Sequence, residues 1–506
     1  MSEPHLARVV KLRTVVSTGA GMALATLSYS ASMELATLVL GDSAWIAILV
    51  SGLLCLMAGA CFAELSGMYP TAAGIKLFIQ HAFSERVAMF FATLYMTVAI
   101  SVVGAETFVL ARVLHDGTGI TAIPPWAWGM TFLLVVLALN IIGIKIAGTF
   151  QDILAYSMFV CLIVSSIYAI AVAPTSFHTP AMPGNPASFV KAVAVGVFLY
   201  VGFEWVTPLA EEVIDQRLIA RGLFWTIWVL FATYALFNAG LTMTMAPAIQ
   251  ANPQDPTFAG LIDAAIVKGT LPANLDRAAL TYDQAKQAFG TSVVPHVLLY
   301  KHLFGAAGIG FIILMSLTAS ITSFNAGTIT ASRYMYALAR DGSLPKIFSR
   351  ISIRYATPYT ALMALSALCL AISATVFVST HFAPESYELF IYLGAFIECM
   401  IYTVMACSVM SLRRRNPQHA RPYRIPGGDV IPVIVALFFG LLMIAIAVDR
   451  PLVACVVAVV AGLSGYYGWF IVPAMRARAH AARSARGPRR PGRRPEASEP
   501  DNAPSA

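Results

Sequence analysis

Twelve apolar stretches constrain this chain more than any other feature, because each is long enough to cross a bilayer. A helix rising 1.5 Å per residue needs about 20 apolar residues to span the hydrocarbon core of ~30 Å. The stretches lie at 16–40, 43–66, 87–112, 126–146, 152–173, 190–213, 222–246, 304–338, 358–380, 387–411, 430–448 and 451–473. Lipid offers no hydrogen bonds to an open backbone, so each stretch predicts a helix. The expected fold class is an all-α polytopic membrane protein of about 12 transmembrane helices. Composition agrees, with 58% hydrophobic and only 11% charged residues, against roughly 25% charged in soluble chains.

The net charge of +8 would suit nucleic acid if the cations were clustered on one soluble face. They alternate by loop instead. With the N-terminus taken as cytoplasmic, only Arg112, Lys191, Lys268, Arg277, Lys286, Lys301 and Arg450 fall outside, four of them in one long loop. The remaining Lys and Arg lie inside, which is the positive-inside pattern. Both termini are therefore expected in the cytoplasm of a cell membrane, that of a bacterial inner membrane, with no nucleic-acid partner. Expected domains are a cytoplasmic N-terminus (1–13), a transmembrane body (14–474) with a long external loop (247–303), and a disordered basic cytoplasmic tail (475–506). The tail is rich in Arg, Pro, Ala and Ser and has few apolar anchors.

All seven cysteines sit inside apolar runs without a CxxC, so a disulfide framework or zinc site is not expected. All nine histidines lie in loops or at span ends, which argues against a membrane metalloenzyme or haem protein. No HExxH, GxSxG or P-loop is present. No enzymatic activity, cofactor or metal is expected.

The informative residues are polar groups that lipid should reject. Glu34, Glu106, Glu204 and Glu398 fall well inside spans, with no basic residue comparably deep. A charge there costs roughly 2.5–3.5 kcal/mol on insertion scales, so such groups usually face a cavity or a partner. Either they are protonated acids bonded to neighbouring helices, or they meet a cation: a proton, a sodium ion or a charged amine. Residues 195–213, VGVFLYVGFEWVTPLAEEV, add Gly196, Gly202 and Pro208 to one span around Glu204. A broken span is tolerated where its freed backbone lines a cavity, and in transporters such half-helix ends bind substrate charge. The alternative is a kinked continuous helix whose glycines serve close packing.

Three stretches carry a family resemblance: 41–79 with its AEL…YP turn, 198–213 with GFE and AEEV, and 325–358 with ASR…ALARDGSLP. The chain resembles the amino acid–polyamine–organocation (APC) superfamily, in its amino acid permease branch, over about residues 14–474. The resemblance implies a leucine-transporter-like 5+5 inverted repeat with helices one and six discontinuous. It implies a substrate site between those helices at mid-membrane. Phe198, Gly202, Phe203 and Glu204 then fall at the sixth-helix site, with Phe198 an aromatic gate or stacking surface and Glu204 a coupling acid. The first-helix bend falls near Leu27, Ser28 and Tyr29, with Ser30 adjoining.

Only the serine of the family's Gly-Ser-Gly bend is kept there, and Gly19 and Gly21 lie earlier. That weakens carboxylate capture by backbone amides and gives an amine substrate more weight. Glu34 and Glu106 would face such a substrate. Some relatives carry a lysine in the fifth helix; here the corresponding position is Met158 or a neighbour. Sodium would need hydroxyl or carbonyl ligands, which Ser323 and Thr328 could supply. The implied function is secondary transport of amino acids by alternating access, proton-coupled as a symporter or by exchange as an antiporter. Polyamines or other small amines are the second substrate class. A transporter-like membrane sensor is the rival of another class. The sequence assigns no oligomeric state.

Overall fold

The structure is a computed structural model that describes residues 8–25, 44–120, 122–173, 186–292, 295–382 and 386–477. Its elements among these residues are helical. They run α1 (Leu12–Ala23), α2 (Ala44–Met68), α3 (Gly74–Ala82), α4 (Glu85–Thr118), α5 (Pro125–Ile142), α6 (Ile144–Val172) and α7 (Pro186–Phe198). A 3-10 segment, Phe203–Glu211, follows α7. Next come α8 (Arg217–Ala251), α9 (Pro256–Val267), α10 (Tyr282–Phe289), α11 (Pro295–Arg340), α12 (Tyr359–Phe382), α13 (Ser386–Arg415), α14 (Val430–Asp449) and α15 (Pro451–Tyr466), whose helical path continues to Ala477.

Eleven segments among the described residues are long and apolar enough to cross a membrane. The first expected span, 16–40, begins as α1 and then passes outside the described residues. The sixth span is the centre of the bundle. Every residue of its apolar window is buried, against 22% for the last span. An apolar helix buried all round must pack on protein, and one mostly exposed must face lipid. Small residues let neighbours reach this central element. Gly196 leaves room for Ser51 of α2, whose hydroxyl bonds Val193 O at 3.0 Å.

Two expected boundaries shift. The predicted loop 147–151 is absent, because α5 and α6 are joined by the single residue Gly143, at φ +127°. Gln151, between the two expected spans, and Asp152, the first residue of the fifth, are buried on α6. They bond to α1 and α11 rather than to water. The external loop 247–303 is largely helical: α8 extends into it, α9 and α10 lie within it, and α11 starts at Pro295. Its buried Phe258, Ile262, Leu271, Leu280 and Phe289 continue the apolar core of the bundle. A capping box starts α10, with Thr281 and Gln284 bonding reciprocally at 3.3 and 2.9 Å. At Gly305, φ +61° and ψ −140° break α11 near the expected start of its span.

Candidate functional site

Two helix ends meet in the middle of the bundle. The helix α1 stops at Ala23, and Leu24 closes it with N–H to Ala20 O at 2.8 Å. A helix end leaves carbonyls without intrahelical donors. Here Tyr234 of α8 donates to Ala23 O at 2.9 Å, and Ser323 of α11 donates to Met22 O at 3.3 Å. On the facing element, α7 stops at Phe198, and i→i−3 bonds carry the chain through Leu199–Val201. Gly202, at φ +118°, then redirects it into the 3-10 segment. A β-carbon at Gly202 would lie 2.7 Å from Met22 Cγ and 3.0 Å from the Ala23 nitrogen. Glycine is required there twice over, for its left-handed φ and for this close approach.

Glu204, fully buried, sits just past the break. Its carboxylate accepts a hydrogen bond from Tyr402 of α13 at 2.9 Å and a long one from Tyr95 of α4 at 3.4 Å. It also accepts from the Gly202 N–H at 3.3 Å. Rings surround it. Tyr95 stacks on Trp205 at 3.9 Å between centroids, and Phe62 of α2 meets Phe203 and Tyr402 edge-on. Glu204 is thus a knot joining the broken span to two other helices. Phe203 turns towards α2 and α13, and Phe198 lies against Gly394 of α13.

Glu106 of α4 is fully buried and accepts from Ser320 of α11. Ser320 is one helical turn from Ser323, so α11 links this acid to the end of α1. Thr328 bonds its own helix at Phe324 O, 2.6 Å, and lines a small cavity with Val103 and Cys369. Of the expected site residues, the structure gathers Phe198, Gly202, Phe203, Glu204 and Ser323 around the two helix ends. Glu106 adjoins them through α11. Ser28, Tyr29, Ser30 and Glu34 lie outside the described residues, as do Leu27 and the rest of the expected bend.

A polar chain supports α1 from behind. Asn140 of α5 donates to Asn325 Oδ1 at 2.8 Å, Asn325 to Gln151 Oε1 at 2.9 Å, and Gln151 to Ser17 O at 3.0 Å. Ser17 donates to Asp152 at 2.6 Å, which also pairs with Arg13 at 3.0 Å. Gly21 leaves the space through which Gln151 reaches α1.

The quoted motifs meet at the Arg-rich end. Glu212 and Arg333, each with no exposed side-chain surface, pair at 2.9 Å. Arg333, counted among the inside cations, is therefore buried in protein against an acid. The Glu212 carbonyl accepts N–H groups of Val9 and Val10 at 3.0 Å, and Arg340 grips Glu211 with two nitrogens. Residues 16–472 match the family described as amino acid permease. The chain belongs to that family. The permease is 24% identical over 385 residues to the gamma-aminobutyric acid permease of Escherichia coli K12, covering 73% of this chain and 72% of that one. It is 21% identical over 440 residues to the methylthioribose transporter of Bacillus subtilis, covering 84% and 80%. With the branched-chain amino acid permease BcaP of the same organism the figures are 22% over 413 residues, 78% and 78%.

Tyr95, Tyr402, Trp205 and Gln151 were missed as site residues. The signal available was their polarity inside apolar spans: a deep carboxylate needs donors, and tyrosines on neighbouring spans are the natural supply.

Proposed function

We propose that this permease is a secondary transporter that moves amino acids by alternating access around the α1 end and the α7 break. The observation that carries the reading is Glu204. It is a fully buried acid beside a left-handed glycine, held by tyrosines from two other helices. A change of charge at or beside this carboxylate alters how Tyr95 and Tyr402 bond to it, so one proton can tighten or loosen three elements together. That is the property a coupling acid needs. Membership in the amino acid permease family supports the substrate class, as do relatives named for gamma-aminobutyric acid and branched-chain amino acids.

Phe198 serves as the aromatic wall of the substrate space. The family resemblance alone assigns Ser28, Tyr29, Ser30 and Glu34 to substrate binding, and Ser323 and Thr328 are proposed as a polar edge. Proton symport and exchange both suit this arrangement. Polyamines and other small amines are the second substrate class, favoured by the second buried acid, Glu106. Both termini lie on the cytoplasmic side of the cell membrane in this reading.

Uptake of labelled amino acids and amines into proteoliposomes, under imposed proton and sodium gradients, tests the proposal. Accumulation of at least one amino acid above its equilibrium level under a gradient is expected. If no solute of a broad panel moves under any gradient, the transporter reading fails and the sensor reading replaces it.

A further inference from the structure

A second acid lies against the first. Glu398 is on α13, one helical turn before Tyr402, so both project from the same face towards Glu204. It is fully buried, and neither of its carboxyl oxygens has a hydrogen-bond partner. Its polar neighbours are Glu204 and Trp205, whose indole nitrogen also has no partner. Tyr95 of α4, Tyr402 and Cys399 of α13 and Cys55 of α2 complete the titratable groups facing the pair. Among the described residues no Lys or Arg forms an ion pair with either acid.

We propose that Glu398 and Glu204 form one proton-binding unit, in which Glu398 holds the exchangeable proton and Glu204 remains the acceptor for Tyr95 and Tyr402. The proposal rests on the transporter reading of Glu204 and adds the residue that carries its cargo. Two adjacent carboxyls without a cation cannot both be ionised in a closed apolar setting. The hydrogen bonds identify which one is charged. Glu204 takes two hydroxyl donors and one N–H, the pattern of a carboxylate, whereas Glu398 takes none.

The polarity of the surroundings selects a proton over a metal cation. Metal cations of this class are held by oxygen acceptors, and the groups aimed at this pair are an indole N–H and hydroxyls already donating to Glu204. On release, the O–H bond of the Glu398 acid breaks, its electron pair stays on the carboxylate oxygen, and the proton passes to water. Loading is the reverse. The unit then carries one more negative charge, which Glu204 transmits to its two tyrosines and so to α4 and α13.

Infrared difference spectroscopy of the lipid-reconstituted full chain across a pH titration tests this. The wild type is expected to show a carbonyl stretch of a protonated carboxylic acid that vanishes as pH rises. Glu398→Gln should lack that band and carry solute only to its equilibrium level. Glu398→Asp should keep the band at a shifted frequency and retain uphill uptake. A band unchanged in Glu398→Gln overturns the proposal, and so does an unshifted band in Glu398→Asp or uphill accumulation by Glu398→Gln. The spectra stand apart from the transport assay. A wild type that moves nothing defeats the transporter reading, while the band still decides where the proton resides.

Discussion

Gly202 and Ala23 lie so close that a methyl group on the glycine would sit 3.0 Å from the Ala23 nitrogen. That contact joins the end of α1 to the break in the sixth span, and it makes a sharp test. Alanine at 202 meets Met22 Cγ at 2.7 Å as well and must hold a left-handed φ of +118°. The backbone strain alone costs about 1–2 kcal/mol for an L-residue. Gly202→Ala is expected to lower the melting temperature in detergent by a few degrees and to reduce uptake by more than tenfold. Normal uptake in this variant would show that the two helix ends part without cost.

The tyrosines on Glu204 are unequal. Tyr402 donates at 2.9 Å and Tyr95 at 3.4 Å, the latter near the limit of a useful bond. A hydrogen bond to a charged group is worth about 1.5–3 kcal/mol. Tyr402→Phe is therefore expected to cut gradient-driven uptake by an order of magnitude or more, and Tyr95→Phe by less. Glu204→Gln should abolish driven uptake while leaving membrane insertion intact. Initial rates in proteoliposomes against pH distinguish the three. Equal rates for the two phenylalanine variants would contradict the geometry.

The spans, the broken sixth element and Glu204 were legible in the sequence because each violates a simple expectation of lipid. Apolar length implies a crossing, and glycine beside a buried acid implies a break. What was not legible depends on which helices become neighbours. Gln151 and Asp152 stand at the edge of an expected span, and only the packing of α6 on α1 and α11 gives them their interior partners. Tyr95 and Tyr402 are ordinary span tyrosines until the fold puts both on one carboxylate. Arg333 reads in the sequence only as one of the inside cations. Its acid, Glu212, lies 121 residues away, and no local pattern could pair them.

That pair makes the third prediction. Arg333 and Glu212 have no exposed side-chain surface, and removing one partner leaves an uncompensated buried charge, a loss of roughly 3–5 kcal/mol. Arg333→Met alone, or Glu212→Met alone, should sharply reduce the yield of monodisperse protein and its melting temperature. The double replacement should recover most of the stability, since two apolar side chains of similar volume restore packing without desolvated charge. Its uptake is expected to stay impaired, because the pair also ties the segment after the 3-10 turn to α11. A double variant no more stable than either single one would show that the pair itself, and not the orphaned charge, sets the stability.

Outside the spans, His81 supplies the pH prediction. Tyr69 stacks with His81 at 4.5 Å and with His419 at 5.0 Å, at the end of the bundle that carries α3. Partial desolvation of the largely exposed His81 imidazole pushes it below its ordinary value, and nearby His419 and Lys76 push the same way. The folded state therefore binds this proton less readily than the unfolded chain does. Stability is full above the ordinary histidine value of 6.5 and declines as the pH falls through it, because protonation favours the unfolded chain. The melting temperature in detergent is expected to drop between neutral pH and about pH 5, where an unperturbed histidine has become fully charged. His81→Phe should flatten that drop while keeping the ring contact with Tyr69. A drop of the same size in His81→Phe would assign the titration to another group at this end of the bundle.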